Sequence, residues 1–338
     1  MRICVIGAGS WGTALGLTLA ANGHEVTLWG HDPHHMARVG MMRCNDRYLP
    51  GISFPANLRT TDDLELATQG RGIVLIAVPS RAFRQTLERL SLLEHPELKL
   101  VWATKGLELE TGYPLHRVVE EVLGGSLPAA ILSGPTFAGE VARGQPTAVT
   151  VASRSMDFAA ELVSIFHSPC FRAYSSSDVV GVELGGAIKN VLAIAAGVSD
   201  GLGYGANARA ALVTRGLAEM IRLGTALGGK PETLMGLAGV GDLILTATDD
   251  QSRNRRYGLG LGRGGSPDKV KNEIGQEIEG IPTAKILHRL ALELGIEMPI
   301  TEQTYRILHE GLSPDEAVGN LLLRDPKPET ELSEKVAH

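Results

Sequence analysis

The chain has 338 residues, of which 43% are hydrophobic and 21% are charged, which is typical of a globular protein with room for two domains. Its formal net charge of -6 gives no overall electrostatic reason to expect nucleic acid or an anionic membrane as a partner, so small molecules are the expected partners. The three cysteines, Cys4, Cys44 and Cys170, lie far apart, which argues against a disulfide framework and favours the reduced cytoplasm.

The chain opens on a predicted strand, a glycine-rich turn and a helix. The apolar strand at residues 3–6 leads into Gly7, Gly9 and Gly12, and the helix-forming run 13–21 follows. In this arrangement the first glycine permits a tight turn, the second lets the backbone approach a pyrophosphate, and the third lets the helix pack on the strand. The spacing therefore predicts a dinucleotide site at a helix N-terminus, the alternative being a glycine-rich turn without a ligand.

Apolar strands then alternate with helices or polar segments as far as about residue 176. Strands are predicted at residues 25–29, 72–78, 98–103, 129–133, 147–152 and 171–174, and helices at residues 36–42 and 156–166. The alternation predicts an α/β fold, with a Rossmann-like, doubly wound parallel sheet whose ligands collect at the carboxyl ends of the strands.

From residue 178 onward, helical patterns replace strands. Helices are predicted at residues 179–196, 206–227, 231–235, 283–294 and 301–310. We therefore predict a dinucleotide-binding domain over residues 1–177 and a mainly α-helical substrate domain over residues 178–324, with the substrate in the cleft between them. Residues 325–338 are charged and contain two prolines, which predicts a mobile polar tail.

Lys189 is the most informative residue of the second half. In the helical run 179–197, Glu183, Lys189 and Asn190 are the only strongly polar side chains, whereas a surface helix would carry a whole polar face. A lysine in a buried helix is costly unless it is paired or faces a polar cleft, and desolvation lowers its pKa towards the range useful for acid or base catalysis. The alternative is a structural lysine paired with Glu183 or Asp242.

A second group of polar residues lies in the run 236–258. Gly239 and Gly241 bracket a predicted turn that presents Asp242. A hydroxyl, a guanidinium and an amide then follow in succession, at Ser252, Arg253 and Asn254. That mixture of donors suits a phosphate, and the alternative is a solvated basic loop.

A third group consists of small residues at two predicted strand ends. They allow backbone amides to meet a ligand, and they are Lys105 with Gly106, and Gly134, Thr136 and Ala138. His31, His34 and His35 are close in sequence, but they fall in a predicted loop and no acidic or thiolate cluster completes a ligand set, so no metal is expected.

The sequence predicts neither export nor membrane insertion. The first predicted strand begins within the first three residues and leaves no room for a leader.

Five segments together resemble one enzyme family. In chain order they are GAGSWGTALG, ATKGLE, SGPTFAGEVARGQPTA, GGAIKNVLAIAAGVSDGLGYGANARAALVTRG and GLAGVGDLILTATDDQSRN. Over roughly residues 2 to 320 the chain resembles the bacterial NAD(P)-dependent glycerol-3-phosphate dehydrogenases. The resemblance implies reversible hydride transfer between NAD(P)H and dihydroxyacetone phosphate, which gives sn-glycerol 3-phosphate for glycerophospholipid synthesis.

The resemblance also implies roles for individual residues. The family's proton-transfer lysine falls on Lys189, and the lysine that contacts both cofactor and substrate falls on Lys105. The other substrate-contacting positions fall on Gly134, Thr136, Asp242, Ser252, Arg253 and Asn254. The cofactor positions outside the glycine turn fall on Ser10, Trp11, His31, Lys105, Ala138, Arg253, Glu277 and Glu279.

Two positions depart from the family pattern. Many relatives carry a basic residue just after the second strand, where this chain has Gly30, His31 and Asp32. An arginine there would favour the 2′-phosphate of NADP and an acid the free hydroxyl of NAD, so the cofactor is NAD or NADP with the preference open. The position of Glu277 tends to be apolar in relatives, so its contact is either through the backbone or absent.

The resemblance leads to a mechanistic hypothesis. Lys189, as the ammonium, gives a proton to the substrate carbonyl oxygen, Asp242 orients it, and Lys105 stabilises the developing alkoxide. The enzymatic alternative is a β-hydroxyacid dehydrogenase, which usually places an asparagine four residues after the lysine, where this chain has Ala193. A non-catalytic dinucleotide sensor is the other alternative. A homodimer through the helical domain is expected from general prevalence.

Overall fold

The computed structural model describes residues 1–70, 72–93, 98–326 and 328–329. Strands and helices alternate first, as β1 (Arg2–Ile6), α1 (Ser10–Ala21), β2 (Glu25–Trp29), α2 (Pro33–Met42), β3 (Cys44–Asn45), β4 (Leu49–Ser53), β5 (Leu58–Thr61), α3 (Leu64–Thr68), β6 (Ile73–Ile76), α4 (Phe83–Ser91), β7 (Lys99–Trp102), α5 (Leu115–Leu123), β8 (Ala129–Ser133), α6 (Ala138–Ala142), β9 (Thr147–Ser153), α7 (Met156–Phe166) and β10 (Phe171–Ser176). Helices then follow, as α8 (Val179–Gly201), α9 (Ala206–Ala226), α10 (Pro231–Leu234), α11 (Asp242–Thr248), α12 (Arg253–Gly262), α13 (Pro267–Ile274), α14 (Gly280–Leu294), α15 (Pro299–His309) and α16 (Pro314–Leu322).

Eight strands form one sheet in the order β10, β9, β8, β7, β6, β1, β2, β5. The predicted Rossmann-like fold is confirmed, but the sheet is mixed, because β9 runs antiparallel to β8 with Ala130 opposite Ser153. The other pairs in this sheet are parallel. The sheet is therefore parallel apart from this pair. The connection from β8 to β9 carries only the five-residue α6, which is too short to return the chain to the start of β8.

The strand order reverses direction at β1, and this reversal creates a crevice at the carboxyl ends of the strands. From β1 the chain moves outward through β2 and β5, and it then returns to β6 on the other side of β1. Gly7, which follows β1, has a φ of +118°, and a Cβ there would lie 2.6 Å from the carbonyl oxygen of Ala77 after β6. Ligands of doubly wound sheets bind at such a reversal, so the glycine turn lies where the sequence predicted a site.

Apolar cores cover both faces of the sheet and continue into the helical half. One face packs with α1 and α7 around Leu15, Leu28 and Phe166, and the other packs with α4 and α5 around Phe83 and Trp102. A further core forms where α8, α9 and α14 meet. The buried, apolar α8 thus connects the sheet to the helical half of the molecule.

Helix α8 is long and apolar enough, by length and composition alone, to cross a membrane. In the structure, 94% of its most apolar window is buried inside the fold. Its burial explains the sparse polar side chains from which the sequence predicted a buried helix.

The structure corrects several local predictions. His34 and His35 lie in α2 and not in a loop, because Pro33 begins the helix and the side chain of Asp32 caps it by accepting a hydrogen bond from His35 N. Sequence patterns missed β5 and the antiparallel pair of β3 and β4, which are short and partly polar. Most of the predicted tail, residues 327 and 330–338, lies outside the described residues.

Candidate active site

Lys189 lies in the middle of α8 and is 8% exposed. Its Nζ donates to Oδ1 of Asp242 at 3.1 Å and to Oγ1 of Thr246 at 2.9 Å. Burial lowers the pKa of Lys189 to about 8, with the charge of Lys105 lowering it further and that of Asp242 opposing the shift. An amine with a pKa near neutrality can both donate and accept a proton, as general acid and base catalysis requires.

Of the two carboxylates that the sequence offered as partners of Lys189, the structure selects Asp242. Glu183 points to the sheet, where it accepts hydrogen bonds from Trp102 Nε1 and from the backbone and ring of His116. The buried Glu183 therefore fixes α8 to β7 and α5, and its carboxylate is not the partner of Lys189.

Asp242 lies between two lysines and is 1% exposed. Its Oδ2 accepts from Lys105 Nζ at 2.7 Å, and the same amine donates to the carbonyl oxygen of Gly134 at 2.9 Å. Burial on its own would raise the pKa of Asp242, but Lys105 and Lys189 together hold it below its usual range. When both amines are protonated, the cluster carries one excess positive charge, which suits an oxyanion that forms between them.

The backbone before Asp242 is helical, where the sequence predicted a turn between two glycines. A π-helical turn, Leu237–Gly241, precedes it, and Asp242 is the first residue of α11. A Cβ at Gly185 of α8 would lie 2.6 Å from the carbonyl oxygen of Ala238, so the turn packs directly on the backbone of α8. This close approach brings the carboxylate within reach of Lys189. Single π-helical turns occur frequently at functional sites.

The predicted phosphate-binding run lies at the start of α12. The alternative of a solvated basic loop does not hold here, because the run begins a helix and the side chain of Ser252 caps it by accepting a hydrogen bond from Arg255 N at 3.2 Å. Arg253 and Asn254 are in the first turn of α12, where helix N–H groups favour an anion. The positive charge of Arg253 lowers the pKa of Lys189. This guanidinium therefore acts on the lysine cluster, which consists of Lys105, Lys189 and Asp242.

Asn190 is a residue to which the sequence assigned no role. Its Oδ1 accepts from Asn254 Nδ2 at 2.8 Å, and Oδ1 of Asn254 in turn accepts from Gly280 N at 2.9 Å. These bonds join α8, α12 and the start of α14. The sequence signal that could have pointed to Asn190 is its position directly after Lys189, as another polar residue of a buried helix.

At the strand end after β8, Gly134 has a φ of +154°, and a Cβ there would lie 2.9 Å from Cα of Val149. The hydroxyl of Thr136 donates to the carbonyl oxygen of Gly134 at 3.2 Å. Ala138 begins α6, which packs against α1. This strand end thus connects Lys105, which donates to Gly134, with α1, the helix that follows the glycine turn.

The residues of the glycine turn fit a dinucleotide. A Cβ at Gly12 would collide with the carbonyl oxygen of Gly7, whereas a Cβ at Gly9 would meet no atom of the described residues within 4 Å. Gly12 is therefore required by packing, and the space at Gly9 is open to a ligand. Ser10 begins α1 and donates to the carbonyl oxygen of Tyr48 at 2.7 Å. The buried Nε1 of Trp11 has no hydrogen-bond partner in the described part of the chain.

The predicted cofactor residues that remain are His31, Glu277 and Glu279. His31 is exposed at the end of β2, and Glu277 forms an ion pair with Arg81 at 3.1 Å. Glu279 accepts hydrogen bonds from Ser80, in the loop after β6. No group of three or more His, Cys, Asp or Glu side chains suited to a metal occurs among the described residues.

Comparison with known proteins accounts for both halves of the chain. The family described as NAD-dependent glycerol-3-phosphate dehydrogenase N-terminus matches residues 2–159, and its C-terminus counterpart matches residues 178–319. The chain belongs to this family. Membership confirms the enzyme class and the nicotinamide cofactor, NAD or NADP, that the sequence predicted.

Individual relatives are similar over nearly the whole chain. Glycerol-3-phosphate dehydrogenase [NAD(P)+] of Methylococcus capsulatus is 58% identical over 97% of this chain and 99% of its own length. The enzyme of that name from Thioalkalivibrio sulfidiphilus is 57% identical over 97% of this chain and 98% of its own. The crystal structure of glycerol-3-phosphate dehydrogenase from Coxiella burnetii superimposes with a TM-score of 0.93 at 49% identity, over 96% of this chain and 99% of that one.

Proposed function

We propose that this protein catalyses reversible hydride transfer between NAD(P)H and dihydroxyacetone phosphate, which gives sn-glycerol 3-phosphate for glycerophospholipid synthesis. The observation that carries the proposal is the cluster in which Lys105 and Lys189 share the buried Asp242, beside the carboxyl ends of the strands. The names of the relatives agree with this activity.

Lys189 is the proposed proton donor and acceptor. As the ammonium it gives its proton to the carbonyl oxygen of dihydroxyacetone phosphate, and as the neutral amine it takes the hydroxyl proton of sn-glycerol 3-phosphate in reverse. A pKa of about 8 keeps both forms accessible near neutral pH. The nicotinamide, when bound, supplies or accepts the hydride.

Asp242 and Lys105 are proposed to prepare the site for this proton transfer. Asp242 holds the Lys189 amine in place through one carboxylate oxygen and the Lys105 amine through the other. Lys105, which is also anchored to the carbonyl oxygen of Gly134, stabilises the negative charge that develops on the substrate oxygen.

The phosphate of the substrate is proposed to bind at the start of α12. The N–H groups of the first turn and the guanidinium of Arg253 supply positive potential there. The amide of Asn254 uses its oxygen and one N–H in bonds to Gly280 and Asn190, which leaves one N–H for the substrate. The full set of proposed substrate residues is Lys105, Gly134, Thr136, Lys189, Asp242, Ser252, Arg253 and Asn254.

The cofactor is proposed to bind along the crevice at β1 and β6. Among the described residues, the open space at Gly9 and the indole N–H of Trp11, which has no hydrogen-bond partner there, support this placement. The full set of proposed cofactor residues is Gly7, Gly9, Ser10, Trp11, Gly12, His31, Lys105, Ala138, Arg253, Glu277 and Glu279.

We also propose the organisation of the protein. Residues 1–177 are the dinucleotide-binding domain and residues 178–324 the substrate domain, and the protein is a cytoplasmic homodimer that does not insert into membranes. The burial of α8 inside the fold supports the last point, and light scattering of the purified protein tests the dimer.

The activity is tested by mixing the purified protein with dihydroxyacetone phosphate and either NADH or NADPH, and following the nicotinamide absorbance. We expect oxidation of the cofactor with this ketone and little with β-keto acids. The opposite preference would favour the β-hydroxyacid dehydrogenase alternative. Cofactor binding without turnover on either substrate would favour the sensor. The ratio of the two rates gives the cofactor preference.

A further inference from the structure

Ser80 is a residue of the cofactor crevice that the family resemblance did not single out. It follows β6, three residues after Ala77, and begins a single 3-10 turn, Ser80–Ala82. Its backbone N–H donates to Oε1 of Glu279 at 3.1 Å, and its hydroxyl donates to Oε2 of the same carboxylate at 2.6 Å. One residue of the sheet half thus holds both oxygens of a carboxylate that precedes α14, 199 residues further along the chain.

The turn that carries Lys105 packs on the same pair. Gly106 has a φ of +147°, and a Cβ there would lie 3.0 Å from Cβ of Ser80 and 3.2 Å from Oε2 of Glu279. The chain after β6, the chain after β7 and the chain before α14 therefore meet at this hydrogen-bonded pair. The position of Glu279 is fixed relative to the lysine cluster as well as to the crevice.

The surroundings of Glu279 explain why its carboxylate needs a hydrogen-bond donor to stay ionised. Burial raises the pKa of Glu279 above its usual value and Glu277 adds to the rise, whereas the hydrogen bonds from Ser80 and the charge of Arg253 oppose it. Glu277 is itself paired with Arg81, next to Ser80. A hydroxyl that bonds to the ionised carboxylate favours that form, and only an ionised carboxylate offers both oxygens as acceptors.

We propose that Ser80 is a positioning residue for the cofactor, which holds Glu279 ionised and oriented as the acceptor for a ribose hydroxyl of NAD(P)H. The inference rests on the proposed function for the identity of that ligand. Ser80 acts through Glu279 and does not touch the reacting atoms.

The test is direct binding of NADH and of NADPH to Ser80→Ala by isothermal titration calorimetry, without substrate. We expect affinity for the preferred cofactor to fall about tenfold, which corresponds to about 1.4 kcal/mol. Ser91→Ala is the matched control, because Ser91 is exposed and its hydroxyl bonds to the carbonyl oxygen of Glu88 within α4. We expect that variant to bind as the wild type does.

Two further measurements separate positioning from a structural role. In a Glu279→Ala background, Ser80→Ala is expected to change cofactor affinity less than about twofold, because the group it positions is gone. The pH below which cofactor binding weakens is expected to move upward in Ser80→Ala, because the lost hydroxyl lowered the pKa of Glu279.

Wild-type affinity in Ser80→Ala would overturn the proposal, as would an equal loss in the Glu279→Ala background. If thermal unfolding shows that Ser80→Ala is unstable, Glu279→Gln takes its place, and unchanged cofactor affinity in that variant would overturn the proposal. These binding measurements do not depend on turnover. A wild-type protein that binds NAD(P)H but does not reduce dihydroxyacetone phosphate would contradict the proposed function and leave the Ser80 test intact.

Discussion

The two halves of the molecule build their parts of the site by different means. The sheet half uses backbone geometry, with Gly7, Gly9 and Gly12 placing a helix N-terminus at a crevice within six residues of sequence. The helical half uses buried charge, and its Lys189 and Asp242 come together across 53 residues. A backbone site is therefore encoded locally, whereas a charge site depends on the packing of distant segments.

The same difference decides what each half contributes to stability. Glycines at close approaches cost conformational entropy but bury no charge. Burying ions is costly unless partners compensate them, and Asp242 is compensated by two lysines. We expect substitutions in the sheet half to act first on ligand binding, and substitutions of buried charges to act on proton transfer or on folding.

The largest expected effect is that of Lys189→Met. Turnover should fall by about 10² to 10⁴, the usual contribution of general acid catalysis, while the affinity for NADH measured by calorimetry changes little. Lys285→Met, at an exposed position of α14, is the matched control and should retain full turnover. Near-normal turnover in Lys189→Met would contradict the role of the amine in proton transfer. It would also contradict the assignment of proton transfer to the buried charges of the helical half.

The next effect concerns a second buried charge of the helical half. Glu219 is 1% exposed and accepts hydrogen bonds from Ile300 N at 2.6 Å, Thr301 N at 3.0 Å and Thr301 Oγ1 at 2.9 Å. Burial raises the pKa of Glu219 to about 7, from an ordinary value of 4.5. The raised pKa contributes stability that is fully present below pH 4.5 and lost as pH rises through about 7.

Relative to Glu219→Gln, the wild type should therefore lose about 3 kcal/mol of unfolding free energy over that interval. Urea unfolding at several pH values measures the difference. Glu293→Gln, at an exposed position of α14, should show no such trend. A constant difference between the wild type and Glu219→Gln would show that this carboxylate does not change its protonation on unfolding.

A substitution in the glycine turn tests the sheet half. In the part of the chain that the structure describes, no atom lies within 4 Å of a Cβ at Gly9, so Gly9→Val should fold with a nearly unchanged melting temperature. Its side chain would occupy the space proposed for the pyrophosphate, and NAD(P)H affinity should fall by about tenfold or more. Gly125→Val, at an exposed glycine with equally open space, is the control. Unchanged NAD(P)H affinity in Gly9→Val would contradict the proposed position of the cofactor at this turn.

The smallest expected effect is a change in the pH profile. Because the pKa of Lys189 is about 8, kcat/KM for oxidation of sn-glycerol 3-phosphate should rise with pH and reach half its maximum near pH 8. Asp242 raises the pKa of Lys189, so the midpoint should move to lower pH in Asp242→Asn. An unmoved midpoint would assign the titration to another group.

The sequence predicted the local parts of the fold well, for physical reasons. The glycine spacing, the apolar strands and the sparse polarity of α8 are each visible within one segment, because they follow from the backbone and from burial of a whole face. The sequence did not predict short elements with weak hydrophobic patterns, such as β5 and the pair of β3 and β4. The residue patterns singled out the glycine turn, Lys189 and the run 236–258, the resemblance supplied the individual roles, and those roles stay predictions.

By itself, the sequence determined that a glycine-rich turn joins the first strand to the first helix and that a lysine lies in a buried helix. Only the tertiary structure decided that Asp242, and not Glu183, is the partner of Lys189, and that Ser80 holds Glu279. The reason is that a hydrogen bond reaches about 3 Å, and which side chains come that close depends on the packing of elements far apart in the chain.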